Sequence, residues 1–333
     1  MTALASETHV RQWYRDPISC LQSTLATVLL AGGAEPLPVL GLAWEFLFVP
    51  GDVRPEEFYY PCRFEGDLAR SLAPYHPLHS HWWSPAAGED PLAELARRVE
   101  GGELPIAAVD NYHLPFRPAF HDVHAAHLVV VYAVERERDE VGVSDAQPPA
   151  FRGPIPAEDF LAAWSSANPA DAGDAFFSDA QIGRRCLSVE VEEPIPPLDA
   201  DRLRAALRKN LAGFVTGLAD LARYVDDLEA RVLADERRPL EELYAFGWGM
   251  QAQTYLHGEL LRETGAGWSV PELAEAGRAV QEVASAWTGL RMTGGHGLAA
   301  PAAAAADLRR HGSRLRRRYE AALEHVARAV ESL

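Results

Sequence analysis

The fold of the chain turns on residues 121–145, His121-Asp-Val-His124-Ala-Ala-His127-Leu-Val-Val-Val-Tyr-Ala-Val134-Glu-Arg-Glu-Arg-Asp-Glu140-Val-Gly-Val-Ser-Asp145. The run Leu128–Val134 is apolar, rich in β-branched residues and free of Gly and Pro, the composition of a buried strand. Glu135–Glu140 is a charged, solvated turn, and Val141 and Val143 restart an alternating pattern. A hairpin built this way lays the mouth of its first strand, with His127, beside the end of its second, with Asp145. A carboxylate there fixes the imidazole tautomer and stabilises imidazolium. Such a pair usually serves a nucleophile.

The nucleophile candidate lies upstream. Arg15-Asp16-Pro17-Ile18-Ser19-Cys20 reads as a polar turn, and Leu21–Leu30 has helical spacing, stopped by Gly32-Gly33. Cys20 therefore falls at a helix N-terminus, where the partial positive charge favours a thiolate. The backbone N–H groups of the first turn are placed to hold an oxyanion. Cys62 follows Pro61 in a loop-like context with no histidine–carboxylate partner of its own and reads as structural.

Composition narrows the classes of function. The 333 residues carry 48% hydrophobic and 24% charged residues, as in a soluble globular protein of one or two domains. A net charge of −17 disfavours nucleic acid as a partner. No apolar run reaches membrane-spanning length and Met1–Arg15 is too polar for a signal peptide, so a cytoplasmic protein is expected. Cys20, Cys62 and Cys186 are few, odd in number and far apart, which argues against a disulfide framework and a structural zinc site.

Along the rest of the chain, Val39–Val49 reads as running into a strand and His76–Trp83 as a wet aromatic loop near a pocket. Pro91–Glu100 reads as a helix ended by Gly101-Gly102, and Pro105–Asp110 as a short buried strand. Asp110, Asn111 and Tyr112 at that strand's end are candidate substrate-orienting groups. Ala157–Trp164 reads as a helix and Cys186–Val191 as a closing strand. Pro194-Ile-Pro-Pro-Leu198 breaks the composition and marks a domain boundary. From Asp199 to Leu333 apolar residues recur every three to four positions in four segments, as in a helical bundle or cap. Arg309–Arg318 is the one strongly basic run on an acidic chain and the place to seek an acidic docking partner.

Cys20, Asp110-Asn111-Tyr112-His113-Leu114-Pro115, His124 and His127 before the strand, and Val143-Ser144-Asp145 together resemble the motifs of the butirosin biosynthesis protein H family. The resemblance runs over the whole chain. It implies an α+β fold: a papain-like N-terminal catalytic domain (1–195) followed by an all-α C-terminal domain (199–333). It also implies an acyltransferase that takes an acyl or aminoacyl group from the phosphopantetheine arm of an acyl carrier protein. The group passes through acyl-Cys20 to a small-molecule amine, forming an amide in natural-product biosynthesis with no cofactor of the enzyme's own, no metal, no nucleic acid and no membrane. The catalytic set implied is Cys20, His127 and Asp145. His124 competes with His127 for the role of base, and His127 is preferred because it directly precedes the strand. Gln12, slightly farther upstream of the cysteine than the papain-like oxyanion glutamine, stands with Asp110, Asn111, Tyr112 and His124 as a substrate-binding candidate. Two departures fall in the turns: Val131-Tyr-Ala-Val134 where the family strand runs on to Gly-Tyr-Asp, and Ala146-Gln147-Pro148 where Pro follows the closing Asp. The same triad also serves hydrolysis, so a cytoplasmic papain-like cysteine peptidase or amidase is the alternative, and a non-catalytic scaffold a third reading.

Overall fold

A computed structural model describes residues 10–49, 57, 58, 60 and 63–333, which leaves Cys62 outside the described residues. The deciding stretch forms the hairpin: β3 (Ala126–Glu135) and β4 (Glu140–Asp145) pair antiparallel, with Val130 opposite Ser144 and Glu135 opposite Glu140. They lie within a six-stranded antiparallel sheet ordered β1-β6-β2-β3-β4-β5, whose other strands are β1 (Leu78–Trp83), β2 (Ile106–Asp110), β5 (Phe151–Pro156) and β6 (Cys186–Val191).

Leu128–Val134 of β3 is apolar because both faces of the sheet are covered. On one face Leu128 and Val130 join Leu21 and Leu25 of α1 (Cys20–Ala31). On the other, Val129 and Val131 join Leu95 of α4 (Pro91–Glu100) and Phe160 and Trp164 of α5 (Ala157–Ser165). Short helices α2 (Pro36–Leu40) and α3 (Leu68–Leu72) lie between α1 and the sheet strands. β5 is an edge strand, and Pro154 and Pro156 within it hide it from sequence patterning.

The strand read at Val39–Val49 does not form. Pro36–Leu40 is helical and Leu42–Phe48 has no regular structure, although most of this segment is buried. Helices supply the partners that a strand would otherwise need: the Asn210 amide donates to Leu42 O (3.1 Å) and His257 Nδ1 to Gly41 O (2.7 Å). His76–Trp83 is likewise not a loop, because β1 pairs with β6 from Leu78 to Trp83. There His79 pairs with Asp67 (2.8 Å) and His81 faces Glu190 (3.7 Å).

Beyond Pro194–Leu198 come four long helices, α6 (Ala200–Leu233), α7 (Arg238–Trp268), α8 (Pro271–Gly297) and α9 (Pro301–Ser332). Their shared core receives the irregular segment: Trp44 stacks on His257 and on Tyr319, and Phe46 on Trp287. One hydrophobic core runs from α1 and the adjacent sheet face through this segment to α9. The basic run on α9 is compensated locally: Arg309 pairs with Glu229, Arg310 with Asp307, Arg316 with Asp226 and Arg318 with Glu282. Those pairs take up four of the run's six arginines. Among the described residues no helix is long and apolar enough to cross a membrane.

Gly41 marks the closest approach of the inserted segment to α7. A Cβ there would lie 2.7 Å from Leu256 O and 2.8 Å from Leu37 O, both backbone atoms that cannot swing away. Gly41→Ala is expected to cost about 1–3 kcal/mol through overpacking, read as a lower denaturation midpoint in urea.

Candidate active site

Cys20 is the first residue of α1. Ser19 precedes it with extended backbone, and the N–H of Ser19 donates to Gln22 Oε1 (3.2 Å), one half of a capping box. The half-buried Cys20 faces a cavity of about 330 Å³, large enough for a small substrate. Ser19, Asn111, Arg117, Ala126, His127 and Gln147 come from the sheet side, and Tyr244 and Trp248 of α7 from the helical side. Trp248 Nε1 donates to Pro17 O (3.2 Å) and Arg15 pairs with Glu259 (2.8 Å), so α7 also fixes the chain just before the cysteine.

The hairpin brings His127 and Asp145 together: His127 Nε2 lies 2.7 Å from Asp145 Oδ2. The other ring nitrogen, Nδ1, is left for Cys20, which lines the same cavity and whose side chain acts to raise the His127 pKa. Burial alone would push the His127 pKa down. The Asp145 charge, the hydrogen bond to it and the neighbouring Cys20 side chain outweigh burial and raise the pKa to about 9. Burial would likewise raise the Asp145 pKa, but the His127 charge and hydrogen bond hold it below the usual carboxylate value.

Sequence reading missed two groups. Arg117 Nη1 lies 3.1 Å from Asp145 Oδ2, the oxygen that His127 also uses, and its charge opposes the imidazolium. The backbone N–H of Gln147 donates to Asp145 Oδ1 (2.9 Å), while its amide nitrogen reaches Ile18 O and Ser23 Oγ (both 3.3 Å). Gln147 thus ties the end of β4 to the start of α1. Neither residue carries a spacing signal; each is a loop residue that only the fold brings to Asp145.

The substrate-binding candidates separate. Asn111 lines the cavity, with Oδ1 buried and unpaired. Asp110 and His124 instead make a second histidine–carboxylate pair (2.7 Å), absent from the cavity lining, and Tyr112 stacks on His124 at 4.1 Å between ring centres. Asp110 also accepts from Tyr112 N (3.0 Å), Ala125 N (3.2 Å) and Ser166 Oγ (2.6 Å). The backbone N–H of His124 donates to Asp171 Oδ2 (2.9 Å). This pair pins the loop 166–179, and that loop walls the cavity with Gly173, Asp174, Phe176 and Phe177. Gln12, the remaining substrate-binding candidate, is not part of the cavity lining. Its amide nitrogen is spent on Ser144 Oγ (3.2 Å), Asp145 O (2.9 Å) and Phe151 O (2.6 Å), binding β4 to β5 outside the cavity.

Residues 19–146 match the family model described as Butirosin biosynthesis protein H, N-terminal. Residues 19–146 are thus similar to the N-terminal region of that family. Comparison with curated proteins finds no match.

The charge pattern predicts a titration order. By histidine NMR, His127 is expected to stay protonated until about pH 9. Arg117→Gln, which removes an opposing cation, shifts that titration upward. Asp145→Asn leaves burial dominant and moves it below the ordinary histidine value of 6.5. By linkage, the raised His127 pKa stabilises the fold fully below pH 6.5, and this contribution is lost as pH rises through about 9.

Proposed function

We propose that this protein, similar over residues 19–146 to the butirosin biosynthesis protein H family, is a cysteine acyltransferase that moves an acyl group from a carrier-bound thioester to an amine. One observation carries the reading. A buried imidazole lies between Asp145 and a cysteine at a helix N-terminus, at a cavity walled by aromatic rings. A nucleophile helix packed on an antiparallel sheet, with the base on a neighbouring strand, fits a papain-like arrangement.

In this reading the Cys20 thiolate attacks the thioester carbonyl carbon. The tetrahedral adduct collapses to acyl-Cys20, and the departing carrier thiolate takes its proton from the His127 imidazolium. A neutral amine then attacks the acyl carbon. His127, now neutral, takes the amine proton as the Cys20 thiolate leaves, and the amide departs. One thioester is exchanged for another in the first step, so a cysteine meets little thermodynamic barrier with a thioester donor. With Gln12 engaged elsewhere, oxyanion stabilisation falls to the first-turn N–H groups of α1, which have no intrahelical acceptor. Tyr244, Trp248, Phe176 and Phe177 around the cavity support transfer over hydrolysis by restricting water at the acyl-enzyme. The acyl carrier protein as donor partner is part of the proposal and comes from the family resemblance.

The reading is tested by intact mass after incubation with short acyl thioesters. Wild type is expected to gain one acyl group and Cys20→Ala none. His127→Ala is expected to acylate on the order of 10²–10⁴-fold more slowly. Adding an amine should discharge the adduct as amide. Discharge as free acid at an unchanged rate points to a hydrolase, and no adduct from any thioester removes the proposal.

A further inference from the structure

One carboxylate of the cavity has no part in the chemistry of Cys20, His127 and Asp145. Asp174, half-buried on the loop between α5 and β6, lines the same cavity. Its Oδ1 accepts the backbone N–H groups of Phe176 (2.8 Å) and Phe177 (2.9 Å), an arrangement that fixes the direction of the side chain. It makes no ion pair among the described residues. The charged group acting on it is Asp171, of the same sign, and burial and that repulsion together raise its pKa. The other charged groups of the lining, Arg117 and His127, are both engaged by Asp145.

The loop that presents Asp174 is tightly held. Ser166 is bonded to Asp110, Asp171 to His124 N, and Asn168 to Phe177 O and Ala180 O (both 2.9 Å). Ala126 N donates to Phe177 O (2.9 Å), which anchors the loop one residue from the base, His127. Facing the loop are Tyr244, stacked on Phe176 at 3.8 Å, and Trp248. Behind those two rings lies Arg291, 4.5 and 4.9 Å from their centres, its guanidinium bonded to Tyr244 O and Gln251 Oε1. Their cation-attracting character is therefore already used. The rings supply apolar lining, and the carboxylate is left to meet a cation.

We propose that Asp174 is an ammonium-binding subsite, selecting a substrate that carries a protonated amine away from its reacting group. The selection acts on the acyl-transfer reading above, and that chemistry offers two sources of the ammonium. An acceptor with two amines attacks through the neutral one and docks the charged one. An aminoacyl donor docks its own amine while its thioester reaches Cys20. In either case the ion pair forms in a cavity sheltered by aromatic walls, where a charge contact is worth more than in bulk water.

Binding is tested without chemistry by calorimetry on the Cys20→Ala protein, with butylammonium against the neutral isostere 1-butanol. The ammonium is expected to bind at least tenfold tighter, and Asp174→Asn in the same background is expected to erase the difference. Asn retains an oxygen for the two backbone N–H groups, and an unchanged unfolding midpoint reports that the loop is intact. Two kinetic arms on protein with Cys20 intact then assign the source. One compares Cys20 acylation by β-alanyl and propionyl thioesters; the other compares 1,3-diaminopropane and 1-aminopropane at equal neutral-amine concentration. Loss of the donor preference in Asp174→Asn assigns the ammonium to the acyl group, and loss of the acceptor preference assigns it to the amine. Equal binding of butylammonium and butanol by the Cys20→Ala protein, or a preference that survives in Asp174→Asn, overturns the subsite. If no thioester acylates Cys20, the acyl-transfer reading fails while the calorimetry still decides the subsite.

Discussion

The buried carboxylate of Asp145 is the constraint on which the site depends. Its side chain is fully excluded from solvent, so each oxygen must be satisfied from within the protein. His127 and Arg117 meet on Oδ2 and the Gln147 N–H on Oδ1, which draws together β3, the loop after β2 and the segment after β4. Gln147 then carries the constraint to α1 and hence to Cys20. The carboxylate and the guanidinium have opposite effects: Asp145 secures the proton on His127, while Arg117 makes that hold less absolute. A base with too firm a grip on its proton is a poor shuttle, and a shared carboxylate is one way to moderate it.

The segment matched by the family model contains two histidine–carboxylate pairs with different tasks. His127–Asp145 faces the cysteine, whereas His124–Asp110 stands behind the cavity and secures the loop that forms one wall. Two histidines three residues apart on the approach to a strand present the same pattern to a reader of sequence. What separates them is which carboxylate each meets, a matter of tertiary pairing.

Legibility in the sequence follows the range of the interactions. The β3–β4 hairpin, α4, β6 and the four long helices were readable because period and punctuation are local signals. The juxtaposition of His127 with Asp145 was readable for the same reason, since a hairpin's register settles it. Arg117 and Gln147 were not, because loop residues acquire their partners only from the assembled sheet. Gln12 misled because its distance from Cys20 along the chain says nothing of the strands that absorb its amide. The segment Leu42–Phe48 misled for a subtler reason. Its apolar run correctly signals burial, but burial among helices and not among strands, with helix side chains replacing a ladder.

That inserted segment has a consequence for the order of events during synthesis. Trp44 lies only 24 positions after Cys20, yet it stacks on Tyr319, in the middle of α9. The segment around Trp44 thus waits for α9 to be made before its core can close. Contacts of such long sequence separation delay folding. The cysteine helix shares that core, and α7 supplies part of the cavity wall. A nascent chain accordingly holds Cys20 without its pocket, and the assembled cavity comes into being only once α7 has been added.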